Sequence, residues 1–463
     1  MTSMTGIDKD LFHRLFETLR AEDEGELFDF CYLSPDSFEQ IVGSRSCIVF
    51  GETGSGKTAL YRAILNQCNK KSEDHKILAV NWSPKSLPPA EEKMEVWVSE
   101  QIKVLLDVCA VKIIEDLVQR PDQSSLAPDW VKARIGWFIQ NYVLGDASLR
   151  LGPILETDSA NSIFKMLQKI STEGLFYEKP SPELAVKELL LGLKFFKTDS
   201  IWVVADDIQE WSATGVTGMN ASLVAFLSML SIFENTGLVF KFILPNNFEA
   251  SIAHASGLVR RRVDKYMLTW DTGLLKKMVE RRLAFIMKKE SFQLVQLCND
   301  PDFENWLLYF GGDEPRQWLE LLTPFIKYYI ENGLRKPIEP KMSKELRLKN
   351  PPRFHLDEKD FRVKIGGRII PLNDLPRKVY SLLTFLYRHA GEVVTKEKLY
   401  YAVDHEITSV PARGDNNYVD PIVYTGQIDT NIYRLRQAIE PDPKNPVILQ
   451  TERGYGVRLA VKW

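Results

Sequence analysis

Cysteine is scarce in this chain of 463 residues, and its five cysteines (Cys31, Cys47, Cys68, Cys109, Cys298) are scattered without C-x-x-C spacing. Such a set excludes a disulfide framework and the paired ligands of a zinc site, and it points to a reducing compartment. Long apolar runs are also missing. No segment reaches the roughly 18 uninterrupted apolar residues of a membrane-spanning helix, and residues 1–8 lack the basic and apolar regions of a signal peptide. The expectation is a cytoplasmic protein with no membrane partner. Charge of either sign is not in excess: the formal net charge is -3, so any nucleic-acid surface must be local. Internal repeats and low-complexity tracts are absent too, which sets solenoid readings aside.

What is present divides into two or three domains, since a chain of this length outgrows one core. Residues 8–30 place Leu11, Leu15, Phe16 and Leu19 at helical spacing, as in a leading helix. Apolar runs at 47–50, 77–82, 201–205 and 238–244, and a fifth candidate at 266–270, alternate with helical patterns. That alternation predicts an α/β domain with a parallel sheet and crossover helices. The stretch 90–198 is helical by periodicity and too long for one crossover, so it reads as a helical insertion. Residues 271–333 are helical again, in the manner of a lid. Prolines then bracket Lys341, Lys344, Arg347 and Lys349, which predicts a basic linker. From residue 354 the pattern becomes a small α+β domain with short strands at 361–365 and 368–372, helices and a terminal hairpin. The expected domains are a lead-in at 1–35, an α/β core at 36–270, a lid at 271–333, a linker at 334–353 and the α+β module at 354–463.

Gly51-Glu52-Thr53-Gly54-Ser55-Gly56-Lys57-Thr58 fits G-x-x-x-x-G-K-[ST] between a predicted strand and a predicted helix. Glycines let successive backbone N–H groups converge on phosphate oxygens, and the helix N-terminus adds partial positive charge. Lys57 then reaches the β and γ phosphates of a purine nucleoside triphosphate, taken as ATP, while Thr58 ligates Mg2+. The run 201–205 ends in Asp206-Asp207, as in a Walker B strand: Asp206 would hold magnesium and Asp207 would orient the attacking water. After the strand at 238–244, Asn246 or Asn247 is either a sensor of the γ-phosphate or an ordinary turn residue.

Over about residues 28–330 the chain resembles the signal-transducing (STAND) and origin-recognition-like relatives of the AAA+ P-loop ATPases. The resemblance implies an arginine finger within Arg260-Arg261-Arg262, represented by Arg261, acting on a neighbouring subunit's nucleotide. It also implies a sensor-2 arginine, Arg316, in Gly312-Asp313-Glu314-Pro315-Arg316. A guanidinium at either place neutralises charge developing on phosphoryl oxygens. The long insertion departs from the family pattern.

In the last module the helix at 425–440 buries Ile428, Ile432, Leu435 and Ile439 and is expected to leave Asn431, Tyr433, Arg434, Arg436 and Gln437 outward for base edges and phosphates. Residues 355–463 closely resemble the OmpR-like winged-helix effector domain of response regulators. The matches are Gly366-Gly367-Arg368, Gly391-Glu392-Val393-Val394, Ile432-Tyr433-Arg434-Leu435-Arg436 and Thr451-Glu452-Arg453-Gly454-Tyr455-Gly456. The resemblance implies recognition contacts to double-stranded DNA at Asn431, Tyr433, Arg434 and Arg436, with wing contacts at Thr451 and Arg453. Tyr433, Glu452, Val457 and a long loop at 404–424 depart from the family's usual residues.

Together these features describe a slow, Mg-dependent ATPase that acts as a switch on a DNA-binding winged helix; the expectation is a transcriptional regulator, with assembly into a homo-oligomer on ATP binding. The alternative is a STAND-like sensor of a defence system, in which the insertion engages a protein partner and the winged helix reads nucleic acid or docks a protein.

Overall fold

Runs rich in β-branched and aromatic residues build one five-stranded sheet between residues 47 and 267. The computed structural model describes residues 9–69, 76–83, 94–145, 181–206, 223–228, 236–253, 263–333, 336–407 and 410–461. Contacts divide the chain into two units, Ser34–Thr269 and a second made of Met1–Leu33 with Trp270–Trp463.

In the first unit, strand β1 (Cys47–Gly51) is followed by helix α1 (Lys57–Asn69) and β2 (Lys76–Asn81). Helices α2 (Met94–Val118), α3 (Asp129–Tyr142) and α4 (Pro182–Leu193) precede β3 (Thr198–Ala205), β4 (Leu238–Pro245) and β5 (Asp264–Met267). The strands pair in the order β2-β3-β4-β1-β5, every pair parallel. β1 is buried along its whole length and β4 along nearly all of it, as continuous apolar strands covered on both faces must be. The edge strand β5 alternates instead, and it begins two residues earlier than its apolar run predicts. The described helices of the long insertion share one core with the sheet: Leu105, Ile113, Phe138 and Leu189 cluster with Ile48, Val80, Val203 and Phe242. Lys241 stands fully buried in β4, with Nζ donating to the carbonyls of Gly43 and Arg45 at 2.7 Å each and lying 4.6 Å from the Trp202 ring centre. Those bonds anchor the chain as it enters β1 and satisfy a cation that burial alone would disfavour.

The second unit begins with short helical turns rather than one leading helix. Leu19 and Gly25 take positive φ (53° and 55°) and interrupt it, although Leu15 and Phe16 are buried as their spacing predicts. The segment is tied down by a buried ion pair between Arg282 and Glu24 at 2.6 Å and by the Thr323 hydroxyl donating to Phe16 O at 2.8 Å. Helices α5 (Thr272–Ile286), α6 (Phe303–Gly311) and α7 (Pro315–Glu331) follow. Where proline punctuation suggests a linker, the structure instead has helix α8 (Pro340–Lys349). Pro340 occupies the first turn, where proline initiates a helix rather than breaking it. Arg347 of α8 pairs with the buried Asp300, and Ile338 bridges Cys298, so this basic segment is packed.

The C-terminal module has β6 (Phe354–Asp357), β7 (Arg362–Ile365) and β8 (Arg368–Pro371) in one antiparallel sheet, then α9 (Arg377–Arg388). After β9 (Val393–Val394) come α10 (Lys396–Asp404), α11 (Pro421–Ile439), β10 (Leu449–Glu452) and β11 (Gly456–Leu459). A second antiparallel sheet runs β10-β11-β9. Three helices with a terminal hairpin are a winged helix. Tyr424 stacks on Tyr400 at 4.2 Å, and the Val419 N–H donates to Tyr401 Oη at 2.8 Å, which holds the end of the long α10–α11 loop. All five thiols are free and buried. No helix among the described residues is long and apolar enough to cross a membrane.

Candidate nucleotide site and winged-helix surface

The P-loop turns from β1 into α1 through two left-handed glycines, Gly54 (φ 91°) and Gly56 (φ 89°), which side chains rarely tolerate. Gly51 is needed for room: a Cβ there would lie 2.5 Å from Ser55 Oγ and 3.2 Å from Lys57 Cγ. Lys57 is buried, and its Nζ donates to the carbonyls of Gly51 at 3.0 Å and Glu52 at 2.9 Å, folding the loop over its own lysine. Thr58 follows in the first turn of α1.

The loop lies at the carboxyl ends of parallel strands, where open α/β sheets bind ligands. Asp206 directly follows β3, and its charge joins burial in pushing the Tyr61 phenol of α1 up to about 12, which puts the carboxylate beside the P-loop helix. Asn246, just past β4, donates from Nδ2 to Glu52 Oε1 at 3.0 Å, while its Oδ1 is buried without a hydrogen-bond partner. The structure thus gathers P-loop, Asp206 and Asn246, and of the two asparagines Asn246 meets the loop. A crowded glycine cradle, an orphaned amide oxygen and a hydroxyl–carboxylate donor pair fit a nucleoside triphosphate with magnesium. Asp207 and the arginine cluster, Arg261 included, lie outside the described residues.

Arg316 belongs to the second unit, in the first turn of α7, exposed and without an ion pair among the described residues. The corner before it is built from glycine. Gly312 has φ 55°, and its carbonyl accepts from Trp318 Nε1 at 2.9 Å. The Gly366-Gly367 turn between β7 and β8 presses onto this corner backbone to backbone, and the buried Glu314 pairs with Lys364 of β7.

On α11 the apolar stripe of Ile428, Ile432, Leu435 and Ile439 is buried as expected, but Asn431 is not outward: it is 5% exposed. It stands three residues after Ile428 and four before Leu435, and therefore shares their face. Arg436 is also turned inward. Its guanidinium donates to Leu449 O at 2.7 and 3.0 Å and to Thr451 Oγ1 at 2.6 Å, tying the helix to the wing. Tyr433, Arg434 and Gln437 remain exposed, as does Arg453 at the wing tip. Glu452 faces Arg458 at 2.8 Å, so the wing's acid is neutralised by a residue that spacing along the chain did not single out.

Residues 372–459 match the family described as "Transcriptional regulatory protein, C terminal". Sensory transduction protein RegX3 of Mycobacterium leprae is 33% identical over 108 residues, or 22% of this chain and 48% of that protein. Protein PetR of Rhodobacter capsulatus is 37% identical over 82 residues, or 17% of this chain and 30% of that protein. The chain spans less than half the length of these relatives. Among solved structures, Cdc6p from Pyrobaculum aerophilum aligns over 99% of this chain and 95% of its own, at 11% identity and a TM-score of 0.37. The Aeropyrum pernix ORC1 protein in complex with DNA covers the same shares at 12% identity and a TM-score of 0.35. Residues 372–459 are thus similar to the C-terminal domain of transcriptional regulators, folded as a winged helix, and the same chain carries a parallel five-stranded α/β domain with a P-loop motif after its first strand.

Proposed function

We propose that this protein is an ATP-dependent switch that binds double-stranded DNA through its winged helix and regulates transcription. The observation that carries the reading is the cradle formed by the P-loop, Asp206 and Asn246, present in the same chain as a winged helix with an exposed Arg434. Gly54, Ser55 and Gly56 would offer backbone N–H groups to the phosphates, Lys57 would leave its carbonyl partners for the β and γ oxygens, and Thr58 with Asp206 would hold Mg2+. Bound magnesium supplies charge neutralisation on the phosphoryl oxygens. Asp207 would orient the attacking water, giving slow hydrolysis that resets the switch. Arg316 would report the γ-phosphate, and Arg261 would act on a neighbouring subunit's nucleotide in an ATP-promoted homo-oligomer.

The glycine seam supports coupling, because the corner that bears Arg316 and the winged helix's first sheet share backbone contacts. A displacement of one is therefore felt by the other. The test is duplex DNA binding by the full chain with ATP, with ADP and without nucleotide, alongside Asp207→Asn, which should retain ATP and lose turnover. DNA affinity that is identical in all three nucleotide conditions refutes the switch. Turnover that rises strictly in proportion to protein concentration refutes the action of Arg261 across subunits.

A further inference from the structure

A groove of about 400 Å³ runs between the start of α9 and one flank of α11, lined by Pro376, Arg377, Lys378, Gln427, Thr430, Asn431 and Arg434. The α11 contributors stand at positions i, i+3, i+4 and i+7, one continuous strip of helix. Three cations border the groove. Lys378 is paired with Asp404, which also lies 3.5 Å from Gln427 Nε2, whereas Arg377 and Arg434 are exposed and have no ion pair among the described residues. The balance is two net positive charges. The twelve-residue helix α9 opens onto the groove with Pro376 as its N-cap, which supplies no side-chain cap, so first-turn N–H groups add to the positive field.

The independent sign of a ligand is Asn431. It is 5% exposed, it lines the groove, and its Nδ2 is buried without a hydrogen-bond partner. Buried amides are ordinarily bonded, and an unpaired one beside a cationic groove has a partner when an oxyanion is seated there.

We propose that this groove seats a phosphodiester of duplex DNA, held by Arg377, the Asn431 amide and the α9 N-terminus, while Arg434 extends from its rim toward the bases. The assignment rests on the DNA-binding reading above and deepens it by naming a backbone contact away from the exposed edge of the recognition helix. The same oxyanion chemistry is offered by free phosphate, so the test separates the two sources.

The experiment is fluorescence anisotropy of the full-length protein with a random-sequence duplex over a series of salt concentrations, because a phosphate contact is independent of sequence. Arg377→Ala should weaken binding several-fold and lower the slope of log affinity against log salt by about one. Asn431→Asp, which places a negative charge in the seat, should weaken it further, and Asn431→Leu should weaken it without changing the slope. Unchanged affinity and slope in Arg377→Ala, together with a loss in Arg434→Ala, overturn the seat and leave the DNA reading standing. Insensitivity of both variants, or no duplex binding by the wild type, overturns both. Saturable binding of inorganic phosphate that Arg377→Ala abolishes, with duplex binding untouched, reassigns the groove to a free anion and overturns the phosphodiester.

Discussion

The backbone N–H of Gly367, in the first hairpin of the winged helix, donates to the carbonyl of Phe310, at the end of α6, at 2.8 Å. Around this bond the chain has stripped away side chains. A Cβ at Gly366 would lie 2.1 Å from Phe310 O, one at Gly367 2.2 Å from Gly311 O, and one at Gly312 2.7 Å from Gly367 O. Arg368 lies over the Tyr309 ring at 4.1 Å and closes the seam from outside.

Gly367→Ala should therefore force the two backbones apart and lose that hydrogen bond, at a cost of about 2–3 kcal/mol. The expected result is a thermal midpoint lowered by roughly 5–10 °C for a unit of this size. A midpoint within a degree of wild type would show that the seam is not tightly packed in solution.

Lys57→Ala removes the group expected to meet the β and γ phosphates, and with it the bonds to the carbonyls of Gly51 and Glu52. Nucleotide titration should show no saturation. A ligand at a hundred times its dissociation constant stabilises a protein by about 2.7 kcal/mol, so the upward thermal shift that MgATP gives the wild type should vanish in the variant. A retained shift would place the nucleotide elsewhere.

Arg434 and Arg436, two residues apart, should separate cleanly. Arg434→Ala should weaken duplex binding by about 1–3 kcal/mol if it reads a base, with stability unchanged. Arg436→Ala should instead destabilise the module by about 1–2 kcal/mol, because Leu449 O and Thr451 Oγ1 lose their donor. Denaturant unfolding alongside DNA titration checks the pair, and equal stabilities with equal losses of affinity would contradict the tie to the wing.

Glu440 closes α11 by accepting the N–H groups of Val447 at 2.9 Å and of Ile448 and Leu449 at 2.7 Å each. Burial nonetheless pushes its carboxyl up to about 7, from an ordinary 4.5. Between those values the folded state holds a proton that the unfolded chain has released, so stability falls as pH rises from about 4.5 to 7 and levels off above. The difference is at most about 3 kcal/mol. Unfolding midpoints at pH 5 and 8 should show it in the wild type, and Glu440→Gln should flatten the profile. An equal pH dependence in that variant would assign it to other groups.

The P-loop was legible in the sequence because its motif is local. Gly51 to Thr58 follow one another along a single turn, and the strand before and helix after them announce themselves by apolar run and periodicity. The sheet was legible for a related reason: strands covered on both faces are apolar throughout, so β1, β3 and β4 stand out even without neighbours. The stripe of α11 followed from its 3.6-residue period, but a period places a stripe without fixing its width. Asn431, on the margin between Ile428 and Leu435, was read as outward, and only packing against α9 shows it turned in.

The remaining features depend on pairs far apart in the chain. Arg436 looks like a DNA contact until β10 brings the Leu449 carbonyl under it, and the basic stretch 341–349 looks like a linker until Asp300 gives Arg347 a partner. Gly312 and Gly367 each read as an ordinary turn glycine, and their common purpose appears only when α6 and the β7–β8 hairpin meet. Composition and spacing determined which chemistry this protein carries. Tertiary structure decided which arginines are free to use it and which surfaces touch, because burial and hydrogen bonding are settled by neighbours that the linear order does not name.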